Sequence, residues 1–308
     1  MKYLLVWLMV ILNFSGCNNS EKKENKVDKI VIGASMLGMQ SEFIVNLADQ
    51  LQKRADELGA ELILVDAEKS AIKQIEQIES FVAQKVDVIV LNPVEVEASS
   101  PAVTKALAAN IPIINMNSET KAKPTAFVGS NDIESARIAM KFIAEKLAGK
   151  GNIVMLHGIM GQAAQIKREQ GANEILKEYP NLKIIASQAG EWDRAKSMDI
   201  TENWIQSLGT KINAVFAQND EMAMGAVNAL QAAGLKDKVI VVGIDAIADA
   251  LQAVQKGELD ATVFQDSKGQ AFGAIETAIK IVKKQPFESE HFIPFILVKK
   301  ENVADFLK

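Results

Sequence analysis

From Ile30 onward, short unbroken aliphatic runs alternate with longer stretches in which apolar residues recur every three or four positions. The runs cover residues 30–34, 62–65, 88–91, 113–115, 153–156, 183–186, 214–217, 239–243 and 261–264. Continuous aliphatic runs, as opposed to alternating ones, predict parallel strands covered on both faces. Between them, Phe43, Leu47, Leu51, Ala55 and Leu58 make one helical stripe. Ile72, Ile75, Ile78 and Phe81 make another, and residues 269–284 predict a late helix with Phe272, Ile275, Ile279 and Val282 inward. Gly59, Gly209, Gly234 and Gly257 fall just past helical patterns, where a left-handed C-cap is needed. The whole reads as repeated βα units, a doubly wound α/β protein.

Two sections share one layout. Residues 30–117 hold four units and residues 152–245 hold four more, each enough for a domain of about 100 residues. The polar, Pro-containing stretch 118–124 breaks the pattern and predicts a domain junction near 115–130. Residues 291–299 read as one final extended segment, with Pro294 favouring an edge position.

The first residues belong to a different pattern. Lys2 precedes an apolar run over 3–12, followed by Ser15-Gly16-Cys17. A charged start, a short apolar core and small residues at its end predict a secretory signal. The run falls short of the about 20 apolar residues that span a bilayer. Ser15-Gly16-Cys17 resembles a lipobox, with Phe14 in place of the usual Leu, so Cys17 is the expected lipidation site and residues 1–17 the expected leader. Cys17 is the single Cys of the chain, which then leaves no thiol for a disulfide, a metal or catalysis. Residues 18–29, rich in Lys, Glu and Asn, predict a flexible tether.

Composition narrows the function further. The 308 residues are 48% hydrophobic and 24% charged, as in a soluble globular protein. A net charge of −5 argues against nucleic acid as partner. No Gly-x-Gly-x-x-Gly opens a helix after a strand, and no phosphate loop or Gly-x-Ser-x-Gly nucleophile turn occurs. His157 and His291 are far apart and form no zinc-like cluster, so neither a metal nor another cofactor is expected and the enzyme reading loses weight.

The densest polar signal is Gln218-Asn219-Asp220-Glu221, which follows the apolar run 214–217 and opens a helical run at Met222. In open α/β sheets such a turn lies at the carboxyl edge, where ligands bind. Asn219 or Asp220 could each cap the helix, but four polar residues exceed what capping needs.

These residues also carry a resemblance. Ala217-Gln218-Asn219-Asp220-Glu221-Met222-Ala223 and Val241-Val242-Gly243-Ile244-Asp245 resemble the bacterial periplasmic sugar-binding proteins, the ribose-binding group in particular. Leu91-Asn92-Pro93, Ile111-Pro112-Ile113-Ile114, Gly129-Ser130-Asn131-Asp132 and Ala261-Thr262-Val263-Phe264-Gln265 match in the same order, and the likeness spans residues 30–300. It implies two doubly wound lobes joined by a three-segment hinge: one of residues 28–130 plus 266–291, the other of 131–265 plus 292–308. It implies a monomer that binds a small sugar or polyol in the cleft and presents its closed form to an ABC permease, outside the cytoplasm and anchored to a membrane by lipid.

Residue by residue, the resemblance implies ligand contacts from Phe43, Asn92, Asn117, Ser118, Ser130, Arg168, Trp192, Asn219, Asp245 and Gln265, with Asp220 left as the helix cap. Aromatic rings cover the C–H faces of a sugar, while Arg168, Asn219 and Gln265 pair with hydroxyls and Asp245 accepts from them. Phe43 could also be core, and Trp192 could instead staple the helix near Arg194. The chain departs from the ribose binders at Ile44, which replaces a second Phe, and at Asn117-Ser118, which stands for Asp-Arg. Alternative readings are a receptor feeding a sensor kinase or chemoreceptor, a transcription regulator's effector domain, and an enzyme on the same scaffold.

Overall fold

The computed structural model describes residues 29–307. The expected leader, the lipidation site Cys17 and the tether as far as residue 28 lie outside the described residues.

Twelve strands among the described residues form two six-stranded sheets. The first holds β1 (Val31–Met36), β2 (Glu61–Asp66), β3 (Val88–Leu91), β4 (Ile113–Met116), β5 (Ala126–Gly129) and β11 (Glu290–Phe292). Its order is β11-β5-β4-β3-β1-β2, all parallel. The second holds β6 (Lys150–His157), β7 (Asn181–Ala189), β8 (Ala214–Ala217), β9 (Ile240–Val242), β10 (Ala261–Phe264) and β12 (Ile296–Lys299). Its order is β12-β10-β9-β8-β6-β7, parallel except for β12, which runs antiparallel to β10.

Helices complete the units: α1 (Glu42–Glu57), α2 (Ala71–Gln84), α3 (Ser100–Ala108), α4 (Asp132–Lys146), α5 (Ala163–Glu178), α6 (Arg194–Leu208), α7 (Asp220–Ala232), α8 (Ala248–Lys256) and α9 (Ser267–Val282). The α1 stripe buries Phe43, Leu47, Leu51 and Ala55 as its period requires. Leu47 and Leu51 are fully buried, which stabilises the fold by about 1.5–3 kcal/mol each. Ser70, Asn131, Asp193, Asn219 and Asp266 cap α2, α4, α6, α7 and α9 with their side chains. Gly59, Gly209, Gly234 and Gly257 all take positive φ, from 55° to 82°.

The protein has an α/β fold of two doubly wound lobes. The chain passes between them three times: from β5 into α4, from β10 into α9, and from β11 to β12. Two expectations need correction. The stretch 291–299 is two strands, not one, and they close different sheets, with Pro294 in the crossing. The stretch around 115–130 contains β5, a buried strand of the first sheet. Its Ala-Phe-Val-Gly run follows Pro124 and the polar stretch 118–124 closely, which hides it within the apparent break.

In each sheet the strand order reverses beside the first strand, β1 or β6. The carboxyl edges of both sheets therefore present their strand-to-helix turns to a shared cleft, the place where such folds bind ligands.

Candidate functional site

The turn after β8 divides its four polar residues among four tasks. Gln218 is fully buried. Its Oε1 accepts from Gly158 N at 2.9 Å and its Nε2 donates to Gln165 O at 3.1 Å, which fixes the loop after β6. Asn219 is the cap of α7: its Oδ1 accepts from Met222 N at 3.0 Å, and its Nδ2 stays available. Asp220, expected as the cap, is buried and accepts from Thr262 Oγ1 at 2.7 Å and Ile247 N at 3.1 Å. It ties α7 to β10 and to the start of α8. The geometry favours Asn219 as cap because it holds the extended backbone of an N-cap residue, while Asp220 is already helical. Glu221 accepts from Arg194 Nε at 2.7 Å.

These turns enclose a cavity of about 290 Å³ between the lobes. From the first lobe come Leu37, Gly38, Gln40, Ser41, Phe43, Ile44, Lys69 and Asn117. From the second come Gln162, Ala164, Arg168, Trp192, Asp193, Arg194, Ala195, Asn219, Glu221, Asp245 and Gln265. The size sits at the low end of the roughly 300–1,000 Å³ of small-molecule pockets. Two aromatic rings, Phe43 and Trp192, approach it from opposite lobes.

Trp192 is held on three sides. Glu191 and Trp192 both take left-handed backbone, with φ of 55° and 62°. The indole Nε1 donates to Gln162 Oε1 at 2.7 Å. Gly158 lies beneath the ring, where an added Cβ would come within 1.8 Å of Trp192 Cζ2. The Arg168 guanidinium lies 5.8 Å from the ring centre, within cation–π reach.

Arg168 is buried and mostly committed to protein. It donates through Nε to Asp132 Oδ1 at 2.9 Å, through Nη1 to Gln218 O, and through Nη2 to Gln265 Oε1 at 3.1 Å. Nη2 also lies 2.8 Å from Asp132 Oδ1, so the guanidinium is gripped by Asp132, Gln218 and Gln265 while it lines the cavity. Holding Gln265 Oε1 on one side turns the Gln265 amide, whose Nε2 has no partner among the described residues.

Asp245 follows β9 with φ of 130°, and Ala246 follows with 60°. Two consecutive left-handed residues are a costly backbone. Their effect is to aim a carboxylate into the cavity. Asp245 is only 6% exposed, and its carboxylate accepts no hydrogen bond from the described residues. Burial pushes its pKa well above the usual carboxylate range, Arg168 pulls it back, and Asp220, Asp132 and Glu221 add to the rise. Asp132 is also raised by burial and drawn down by Arg168. Desolvation lowers the pKa of His157 against the pull of Glu169, and its Nδ1 lies 3.4 Å from Gln218 Nε2.

The arrangement offers two apolar faces and a rim of donors around one acceptor. The family description of a periplasmic binding protein domain matches residues 32–286. The chain belongs to the periplasmic binding protein family. A putative rhizopine-binding protein of Rhizobium meliloti is 38% identical over 284 residues, covering 89% of this chain and 92% of that protein. The ribose import binding protein of Escherichia coli is 32% identical over 278 residues, covering 90% and 93%. Among solved structures, a solute-binding protein of Bacillus halodurans with bound myo-inositol superposes with a TM-score of 0.87 at 38% identity, covering 91% of this chain and 97% of that one. One from Actinobacillus succinogenes with bound D-allose gives 0.85 at 33%, covering 90% and 100%. This periplasmic binding protein is a solute binder, not an enzyme.

Within it, seven of the ten residues singled out from the sequence line the cavity: Phe43, Asn117, Arg168, Trp192, Asn219, Asp245 and Gln265. Asn92, Ser118 and Ser130 are buried and lie outside the lining. Asn92 Oδ1 accepts from Leu37 N at 3.2 Å, and its Nδ2 donates to Met116 O and Asn117 Oδ1. Asn117 in turn donates to Gln270 Oε1 at 3.1 Å, and Gln270 donates to Ser130 Oγ at 3.0 Å. These polar groups brace the hinge side of the first lobe. The polar lining residues outside those ten are Gln40, Ser41, Lys69, Gln162, Asp193, Arg194 and Glu221. Glu221 belongs to the polar turn already singled out, and Gln162 has a faint signal, a polar residue just before a helix in a Gly-rich loop; Lys69, Asp193 and Arg194 look like ordinary surface charges.

Proposed function

We propose that this protein is the extracytoplasmic, lipid-anchored binding component of an ABC importer for a small sugar or ring polyol. The ligand sits between Phe43 and Trp192. Its hydroxyls accept from Asn219, Arg168 and Gln265 and donate to Asp245. The observation that carries the reading is the unpartnered Asp245 carboxylate, held by a strained backbone in a cavity with aromatic walls from both lobes. Ribose import by one relative, and myo-inositol and D-allose bound by two structural neighbours, support this ligand class.

Because both lobes supply contacts, the ligand stabilises the closed arrangement, and that arrangement is what a permease reads. Moving a closing equilibrium from 1:99 to 99:1 takes about 5.5 kcal/mol of preference. A micromolar ligand has about 8 kcal/mol in all, so contacts of ordinary strength suffice. Cys17 carries the anchor, and Cys17→Ala should release the protein from the membrane fraction. Calorimetry with myo-inositol, D-allose, D-ribose and related pentoses tests the ligand class. Binding of at least one, at micromolar Kd or tighter, is expected; no heat and no thermal shift with any of them would refute it.

A further inference from the structure

One corner of the cleft rim brings together the N-termini of α1, α6, α7 and α8. Two of these helices have no cap of their own. The N-cap of α1, Ser41, makes no side-chain capping bond, and the N-cap of α8 is Ile247, whose side chain has nothing to offer. A helix start leaves its first N–H groups without intrahelical partners, and a carboxylate there is favourable both as acceptor and as charge.

Each of the two takes its carboxylate from the opposite lobe. Glu42, the first residue of α1, accepts through Oε1 from Ala248 N, the first residue of α8, at 2.9 Å. In return Glu221 of α7 reaches Glu42 N through Oε1 at 3.5 Å, a longer and weaker approach. The Glu221 carboxylate is steered by Arg194, and Arg194 is itself held by Asp249 Oδ2 at 2.8 Å. Glu42 does not line the cavity. Its bond to Ala248 joins α1 of the first lobe to α8 of the second, so it exists only while the lobes are together.

We propose that Glu42 is a latch that sets how strongly the closed form is populated, equally for every ligand and without touching any. This rests on the closing of the lobes proposed above. Asp220 strengthens the device: it fixes Ile247 N at 3.1 Å, so the start of α8 is already in position when Glu42 arrives.

The test compares wild type with Glu42→Ala and Glu42→Gln in the lipid-free mature protein. Calorimetry gives Kd for myo-inositol, D-allose and D-ribose. A spin label on the outer face of each lobe gives the interlobe distance with and without the tightest-binding of these probes. Loss of the latch should raise Kd by about fivefold, the fold-change that one N-cap interaction represents, and by the same factor for each probe that binds. Ranking among probes should not change. Dissociation should quicken, and the closed fraction should fall in both states. Glu42→Gln, which keeps an oxygen acceptor without the charge, should fall between. If wild type closes and Glu42→Ala binds as tightly and closes as fully, the latch is overturned while the closing stands. A loss confined to one probe also overturns it, because it would mark a direct ligand contact. An interlobe distance that is the same in wild type with and without bound probe overturns the closing and the latch together.

Discussion

At the scale of single residues, the cavity depends on side chains held in place by neighbours outside its lining. Gly158 is the clearest case. A methyl group there would occupy the space of the Trp192 ring, so Gly158→Ala should tilt the indole out of the cavity. The expected loss is about tenfold in Kd, since an aromatic contact is worth about 0.5–1.5 kcal/mol and 1.4 kcal/mol is tenfold. Intrinsic fluorescence checks it: the ligand-induced change at Trp192 should shrink in the variant, while Trp204, buried in α6, gives the constant background. Asp245 gives a second expectation. The acceptor role proposed for it needs the ionised form, and burial pushes its pKa well above the usual range. Affinity should therefore begin to fall at a higher pH than an ordinary Asp would allow, and keep falling as the solution is made more acid. Asp245→Asn should lose roughly ten- to hundredfold in affinity, as expected for a hydrogen bond to a charged group worth about 1.5–3 kcal/mol, and should bind with a flatter pH profile by calorimetry. Much of this was legible beforehand. Asp245 after a buried Val-Val-Gly-Ile run stood out because a buried carboxylate without a partner is costly. The exchange of tasks between Asn219 and Asp220 was not legible, since both are good caps and only the partner Thr262, 42 residues away, decides between them.

At the scale of elements, the start of α7 is fastened to β10 and α8 through that same Asp220 carboxylate, and the bond has a pH signature. Burial raises Asp220 from 3.8 to about 7, against the lowering effect of its bonds from Thr262, Ile247 and Ala246. The folded state then binds more protons than the unfolded one between these values. The stability from this group is fully present below the unfolded value and is lost as pH rises through about 7. Asp220→Asn removes the titration, so the difference in melting temperature between wild type and variant should change between about pH 4 and about pH 7 and level off outside it. The strands around this point were plain in the sequence because β8, β9 and β10 are continuous aliphatic runs. β5 escaped because it directly follows the polar, Pro-containing stretch 118–124 that reads as a break, and β11 because Glu290, His291 and Phe292 are all exposed and carry no buried face.

At the scale of the whole molecule, two similar lobes were visible in the repeated layout, but their interleaving was not. Nothing in local periodicity says that α9, which follows β10 of the second sheet, packs on β3, β4 and β5 of the first. That pairing is set by contacts far apart in sequence, and it reached the sequence reading through family resemblance alone. The last segment adds something else. β11 completes the outer edge of the first sheet beside β5, and after the three residues 293–295 β12 completes the second beside β10. Until that segment arrives, β5 and β10 each show an open row of backbone donors and acceptors, the kind of edge that invites pairing with another chain. Neither sheet is therefore complete without the segment that carries β11 and β12. One short segment thus closes both sheets, so the two lobes, separate in their cores, share the same few residues for completion.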